Sequence, residues 1–154
     1  MHNARDLGSH IESKYANGGR LVAAGTGDNT KVTGATINRM AAGAAGYLSA
    51  VLAIAVHAVL TAAKDCTIAV EVQESADGSS WDTAVVLRAA ASPFTAAQVA
   101  AGGDQTAIIE IAENLAPRKQ YVRYNVTPDL SHSGTDTAEH AAVLVLGGAD
   151  ASPV

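Results

Sequence analysis

Three features of the chain predict an all-β fold, an antiparallel β-sandwich or jelly-roll-like domain with an extended N-terminal arm. From Leu21 onward apolar residues recur mostly at every second position, the period of a half-buried strand. Runs of this kind are short and are separated by Gly, Pro and Asp turn signals. Little of the chain carries a helical period, and that combination favours two packed antiparallel sheets.

Residues 1–20, "MHNARDLGSHIESKYANGGR", hold few large apolar side chains and lack the apolar core of a secretory leader. They read as an arm. Leu7, Ile11 and Tyr15 stand four apart, which also fits one or two amphipathic helical turns, and Asn17 to Gly19 punctuate the end as a turn. Residues 21–149 are assigned to the β-sandwich domain and residues 150–154 to a C-terminal tail.

The stretch "YLSAVLAIAVHAVLTAAKDC", Tyr47 to Cys66, is the hardest to place, because no charge occurs between Arg39 and Lys64. That length suits a membrane-crossing helix, a buried helix or a strand. The neighbouring "MAAGAAG" is only weakly hydrophobic, and neither flank has a basic cluster or an aromatic belt. A helix would spread Val51, Leu52, Ile54, Val56 and Val59 around most of its surface. A strand puts Leu48, Leu52, Ile54, Val56 and Leu60 on one face with Ala50 and Ala58, and Tyr47, Ser49, Val51, Ala53, Ala55, His57 and Val59 on the other. Parity therefore favours a strand, with its second face also covered, by another subunit or by the arm.

"TIAVEVQES" points Ile68, Val70 and Val72 one way and Thr67, Glu71 and Gln73 the other. Asp77-Gly78 then suits a tight turn into "WDTAVVLR", a hairpin with Trp81, Val85 and Leu87 facing inward. Pro93 breaks the pattern, and Thr95 to Ala101 fit one or two helical turns stopped at Gly102-Gly103. "TAIIEIAE" reads as the next strand. "YVRYNVTP" alternates Val122, Tyr124 and Val126 against Tyr121, Arg123 and Asn125, with Pro128 as its end. "EHAAVLVLGG" is the last strand.

Charge and composition exclude several functions. Residues 1–40 carry five basic and three acidic side chains, and residues 41–154 carry five and twelve. Phosphate would be repelled by so acidic a body, which argues against nucleic-acid binding. One cysteine, Cys66, permits no disulfide within the chain and fits synthesis in a reducing cytoplasm.

No catalytic or cofactor motif stands out. "GTGDNT", Gly25 to Thr30, lacks the third glycine and the following helix of a dinucleotide fingerprint. The five histidines have no zinc-ligand spacing, and His132 and His140 read as solvated loop residues. Glu71, Glu74 and Asp82 read as the solvent face of a hairpin rather than paired catalytic carboxylates. Cys66 reads as a small buried residue rather than a nucleophile. Trp81 and Tyr121 are the two rings that would serve a sugar platform, although the parity of Trp81 points it at the core or its rim. These absences make an enzyme the least favoured class, with no metal and no cofactor expected.

The opening "MHNARDL", the central "VEVQESADGSSW", the late "RKQYVRYNVTP" and the terminal "AAVLVLGG" before "SPV" resemble small virion proteins of tailed bacteriophages. The resemblance spans most of the chain and its motifs are structural. It implies a head decoration, or cement, protein on the capsid surface, binding major capsid protein subunits, often as a trimer. It further implies that the arm, with Arg5, Asp6, Leu7, His10 and Ile11, contacts the capsid or a neighbouring subunit. No nucleic-acid or membrane partner is expected. The alternatives are a glycan- or receptor-binding β-sandwich on a fibre or tail, and a neck or tail component.

Overall fold

The computed structural model describes residues 11–23, 28–40, 46–132 and 134–148. The chain runs through β1 (Ile11–Ala23), β2 (Ile37–Asn38), β3 (Ser49–Leu60), β4 (Cys66–Ser75), β5 (Val85–Ala91), α1 (Ala96–Ala101), β6 (Gly103–Asn114), β7 (Tyr121–Leu130) and β8 (Thr137–Gly147). Two four-stranded sheets form, ordered β1-β8-β3-β6 and β2-β7-β4-β5, with every named pairing antiparallel. The first strand thus pairs the last, the second pairs the seventh, the third the sixth and the fourth the fifth. A long antiparallel ribbon folded over itself gives this order, and that is the jelly roll.

The core lies between the sheets. Leu52 and Ile54 of β3, with Leu144 and Leu146 of β8, face Ile68, Val70 and Val72 of β4 and Val122, Tyr124 and Val126 of β7, all buried. Each full burial of such an aliphatic side chain stabilises by about 1.5–3 kcal/mol, so strand parity alone supplies most of the driving force. The stretch from Tyr47 contains no helix. Its strand β3 alternates as parity predicts, with Ala50, Leu52, Ile54, Val56, Ala58 and Leu60 inward. The parity does not extend to the two residues before the strand, which begins at Ser49: Tyr47 is buried and Leu48 exposed.

The helix and its limits match the sequence. Thr95 caps α1, its hydroxyl accepting from the Gln98 N–H while the Gln98 side chain accepts from the Thr95 N–H. Gly102, at φ 64°, ends the helix.

Four local readings are corrected. Ile11 and Tyr15 lie on strand β1, not on helical turns, and the sheet begins inside the segment assigned to the arm. Asn17 to Gly19 form no chain-reversing turn. They lie within β1, where the register against β8 shifts between Tyr15 and Asn17 and again between Gly18 and Arg20. These bulges let the polar sequence stay in the sheet while the buried Asn17 side chain turns inward, donating to the carbonyls of Val32 and Tyr124, each at 2.8 Å.

Pro128 does not end its strand; β7 continues to Leu130. The Pro128 carbonyl accepts from the Asn29 N–H at 2.9 Å, so that edge of the residue faces the segment around Asn29 rather than β4. The missing N–H is on the same edge, and the ladder to β4 loses nothing.

Trp81 and Val85 do not face the core. Trp81 sits in the β4–β5 connection and Val85 is exposed, because β5 is an edge strand whose register against β4 shifts twice. Only Leu87 of the three packs against the core.

Candidate interaction surface

The outward face of the β1-β8-β3-β6 sheet is the most distinctive surface. Strand pairing sets its side chains in rows. Tyr15, Val143, Ala53 and Glu110 form one row, and Ser13, Val145, Val51 and Ala112 the next. Ala141, Ala55 and Ile108 form a third, followed by Glu139, His57 and Thr106. Exposed aliphatic side chains are prominent here. Ile108 is 66% exposed, Val59 44% and Val143 39%.

The alanines make this face concave. A depression of about 540 Å³ lies over Ala55, Thr106, Ile108 and Ala141, with His57 and Glu139 at its border. A second, of about 530 Å³, lies beside Ile11, Val51, Ala112 and Val145. Both are open dents in a twisted sheet rather than enclosed cavities.

The polar border has its own chemistry. His57 Nε2 lies 2.6 Å from Asp104 Oδ1, and Nδ1 lies 3.1 Å from Glu139 Oε1. Carboxylate oxygens only accept, so the doubly protonated imidazolium satisfies both contacts. The hydrogen bond to Asp104, then that to Glu139, raises the His57 pKa above its ordinary 6.5. Both ring nitrogens of His57 are taken by carboxylates, and these contacts suit charge pairing. Among the described residues no group of three or more His, Cys, Asp or Glu side chains is arranged to hold a metal ion.

The other residues considered for chemistry are held elsewhere. Glu71 pairs with Lys31, Asp82 with Lys119, and Glu74 accepts from the Lys119 N–H at 2.7 Å, so the three do not form a carboxylate pair. Cys66 is buried and desolvation pushes its thiol up to about 12, which keeps it protonated and inert. His140 is a correction: it is no loop residue but lies buried on β8, its Nε2 3.1 Å from Asn17 Oδ1.

Trp81 has the Arg123 guanidinium 4.1 Å from its ring centroid, a cation–π contact that occupies one ring face. Tyr121 lies under the 75–80 turn, where a Cβ on Gly78 would stand 3.5 Å from its ring. The two rings are therefore covered in part by their own neighbours. Arg5, Asp6, Leu7 and His10 lie outside the described residues, and Ile11 is exposed on β1. No helix among the described residues is long and apolar enough to cross a membrane.

This fold recurs in virus particles. A structure of the Gx strain of infectious bursal disease virus superposes with a TM-score of 0.52 at 10% identity, over 93% of this chain and 34% of the other. Derived T=1 particles of the same virus give 0.52 at 9% identity, over 93% and 32%. The VP2 subviral particle gives 0.50 at 8%, over 93% and 34%. This chain spans about a third of the length of these structures. At such identities the likeness is one of fold alone. No protein-family model matches the sequence, and no curated protein does either.

Proposed function

We propose that the chain is a virion structural protein that decorates and stabilises a capsid shell by binding major capsid protein subunits, without catalysing a reaction. The observation that carries this reading is the exposed apolar face of the β1-β8-β3-β6 sheet, on a jelly roll of the kind found in virus particles. A lone soluble domain seldom leaves so continuous an apolar sheet face open, and such patches mark interaction sites. Many weak copies on a repeating lattice attach firmly through high effective concentration. A trimer at local threefold points fits that geometry, as does assembly on the capsid surface after synthesis in the host cytoplasm.

The test is titration of purified shells lacking this chain. Binding that saturates at a fixed copy number per shell, with density on the outer surface in a particle map, is the expected result. Density at the neck or tail, or no saturation, rejects decoration. The arm is tested in the same assay. Removing residues 1–10 takes away Arg5, Asp6, Leu7 and His10 but leaves β1 whole, since it starts at Ile11. The truncated protein is expected to fold and to lose shell binding; undiminished binding removes the arm from the interface.

A further inference from the structure

The outward positions of β3, β6 and β8 carry three carboxylates, Asp104, Glu110 and Glu139, together with His57, and no lysine or arginine. A protonated His57 neutralises only one of the two carboxylates that it touches. Glu110 takes part in no ion pair among the described residues, so the outward positions of these three strands keep a net negative charge around an apolar centre.

The size of the face suits a protein partner. β8 has eleven residues and the sheet has four strands. At about 3.4 Å per residue and about 4.8 Å per strand, the face measures about 37 by 19 Å, or about 700 Å². A standard protein interface buries about 800 Å² on each side.

A second copy is a poor occupant. Apposing two such faces would bring carboxylates together, and like charges across an interface are costly. Most cations among the described residues are already engaged. Lys14, Lys31, Arg118 and Lys119 are paired with carboxylates of this chain. Arg39 and Arg88 are spent on backbone carbonyls, and Arg123 on Gln73 and Trp81.

We propose that this face docks a different protein, through a surface that presents apolar side chains interleaved with lysine or arginine. The depression over Ala55 and Ala141 takes the aliphatic stem of such a cation. Glu139 at its border, with Asp104 on the far side of His57, takes the charged head. The inference rests on the shell-binding reading for the identity of the partner, a capsid subunit, and adds the chemistry of the contact.

Purified shells lacking this chain are again the probe, with the full chain and three variants. Asp104→Asn/Glu139→Gln removes the charges and leaves the apolar floor. Ala141→Arg fills the depression with a like charge. Thr67→Arg, on the outward face of the other sheet, is the control. Expected are at least tenfold weaker binding for the first two, near-unchanged binding for the control, and a shallower salt dependence for the carboxylate variant. Thermal melts confirm that each variant is folded; the carboxylate pair is exposed, so its result stands even if Ala141→Arg fails to fold. Wild-type binding with no loss in the carboxylate variant overturns this inference and leaves the shell-binding reading intact. Absence of wild-type binding overturns both. Dissociation of a soluble oligomer by Ala141→Arg would make the face a contact between copies and overturn the inference alone.

Discussion

His57 and Asp104 are 47 residues apart in sequence and 2.6 Å apart in space, joined across the β3–β6 pairing. With Glu139 on the other ring nitrogen, the folded state favours the imidazolium and raises the His57 pKa. The stability that this gives is fully present below the unfolded value near 6.5 and is lost as pH rises through the folded value. An NMR titration is expected to place the His57 midpoint above 6.5, and Asp104→Asn to lower it. A His57 midpoint at or below 6.5 in the wild type would contradict the geometry.

His140 behaves oppositely. It is buried, and desolvation lowers its pKa. Its contribution is present above pH 6.5 and is lost as pH falls below that value toward the folded pKa. Its partner Asn17 also serves the carbonyls of Val32 and Tyr124. Asn17→Ala strands these groups in the core, and each unsatisfied buried group costs about 1–3 kcal/mol. Chemical denaturation is expected to show a loss in at least that range. A change below about 0.5 kcal/mol, the scale of an ordinary surface substitution, would mean that the network carries no stability.

Much of the fold was legible because buried strands in a sandwich announce themselves by parity. Ile68, Val70 and Val72 are inward as their spacing implies, and Leu52 to Leu60 likewise. The Thr95 cap and the Gly102 stop were legible for local reasons, since both act within one turn. What was hidden depended on distant partners. Nothing near Asn17 shows that two carbonyls and a histidine far along the chain await its side chain. Parity failed at Val85 because a bulged edge strand shifts its register, and at Trp81 because the residue precedes that strand, which starts at Val85. The second face of β3 was legible as small and apolar, but the His57 cluster was not, since Asp104 and Glu139 reach it from different strands.

Gly18 and Gly103 separate backbone strain from collision. Both have positive φ, 106° and 76°. A Cβ on Gly18 would stand 2.3 Å from the His140 carbonyl oxygen, whereas a Cβ on Gly103 meets nothing within 4 Å. Gly103→Ala is expected to cost about 1–2 kcal/mol, the penalty of a left-handed residue. Gly18→Ala must add displacement of the β8 backbone and is expected to cost clearly more, about 3 kcal/mol or above, the range of combined strain and overpacking. Melting temperatures of the two variants measured side by side decide this, and equal losses would remove the collision.

Tyr124 is fully buried, and among the described residues no group hydrogen-bonds its hydroxyl. Burial raises its pKa, so the phenol stays neutral and gains nothing from the nearby Arg118 charge as an anion would. The ring fills the core between the sheets, while the hydroxyl has given up water for no protein partner. Tyr124→Phe keeps the ring and removes the unsatisfied group. Unfolding stability is expected to be unchanged or to rise by up to about 1–2 kcal/mol, the desolvation cost relieved. Tyr124→Ala, by contrast, empties the ring volume and is expected to lose about 3–5 kcal/mol, as large aromatic truncations do. Denaturant midpoints for both variants at pH 7 test the pair. A loss above about 1 kcal/mol for Tyr124→Phe would show that the hydroxyl is bonded in solution.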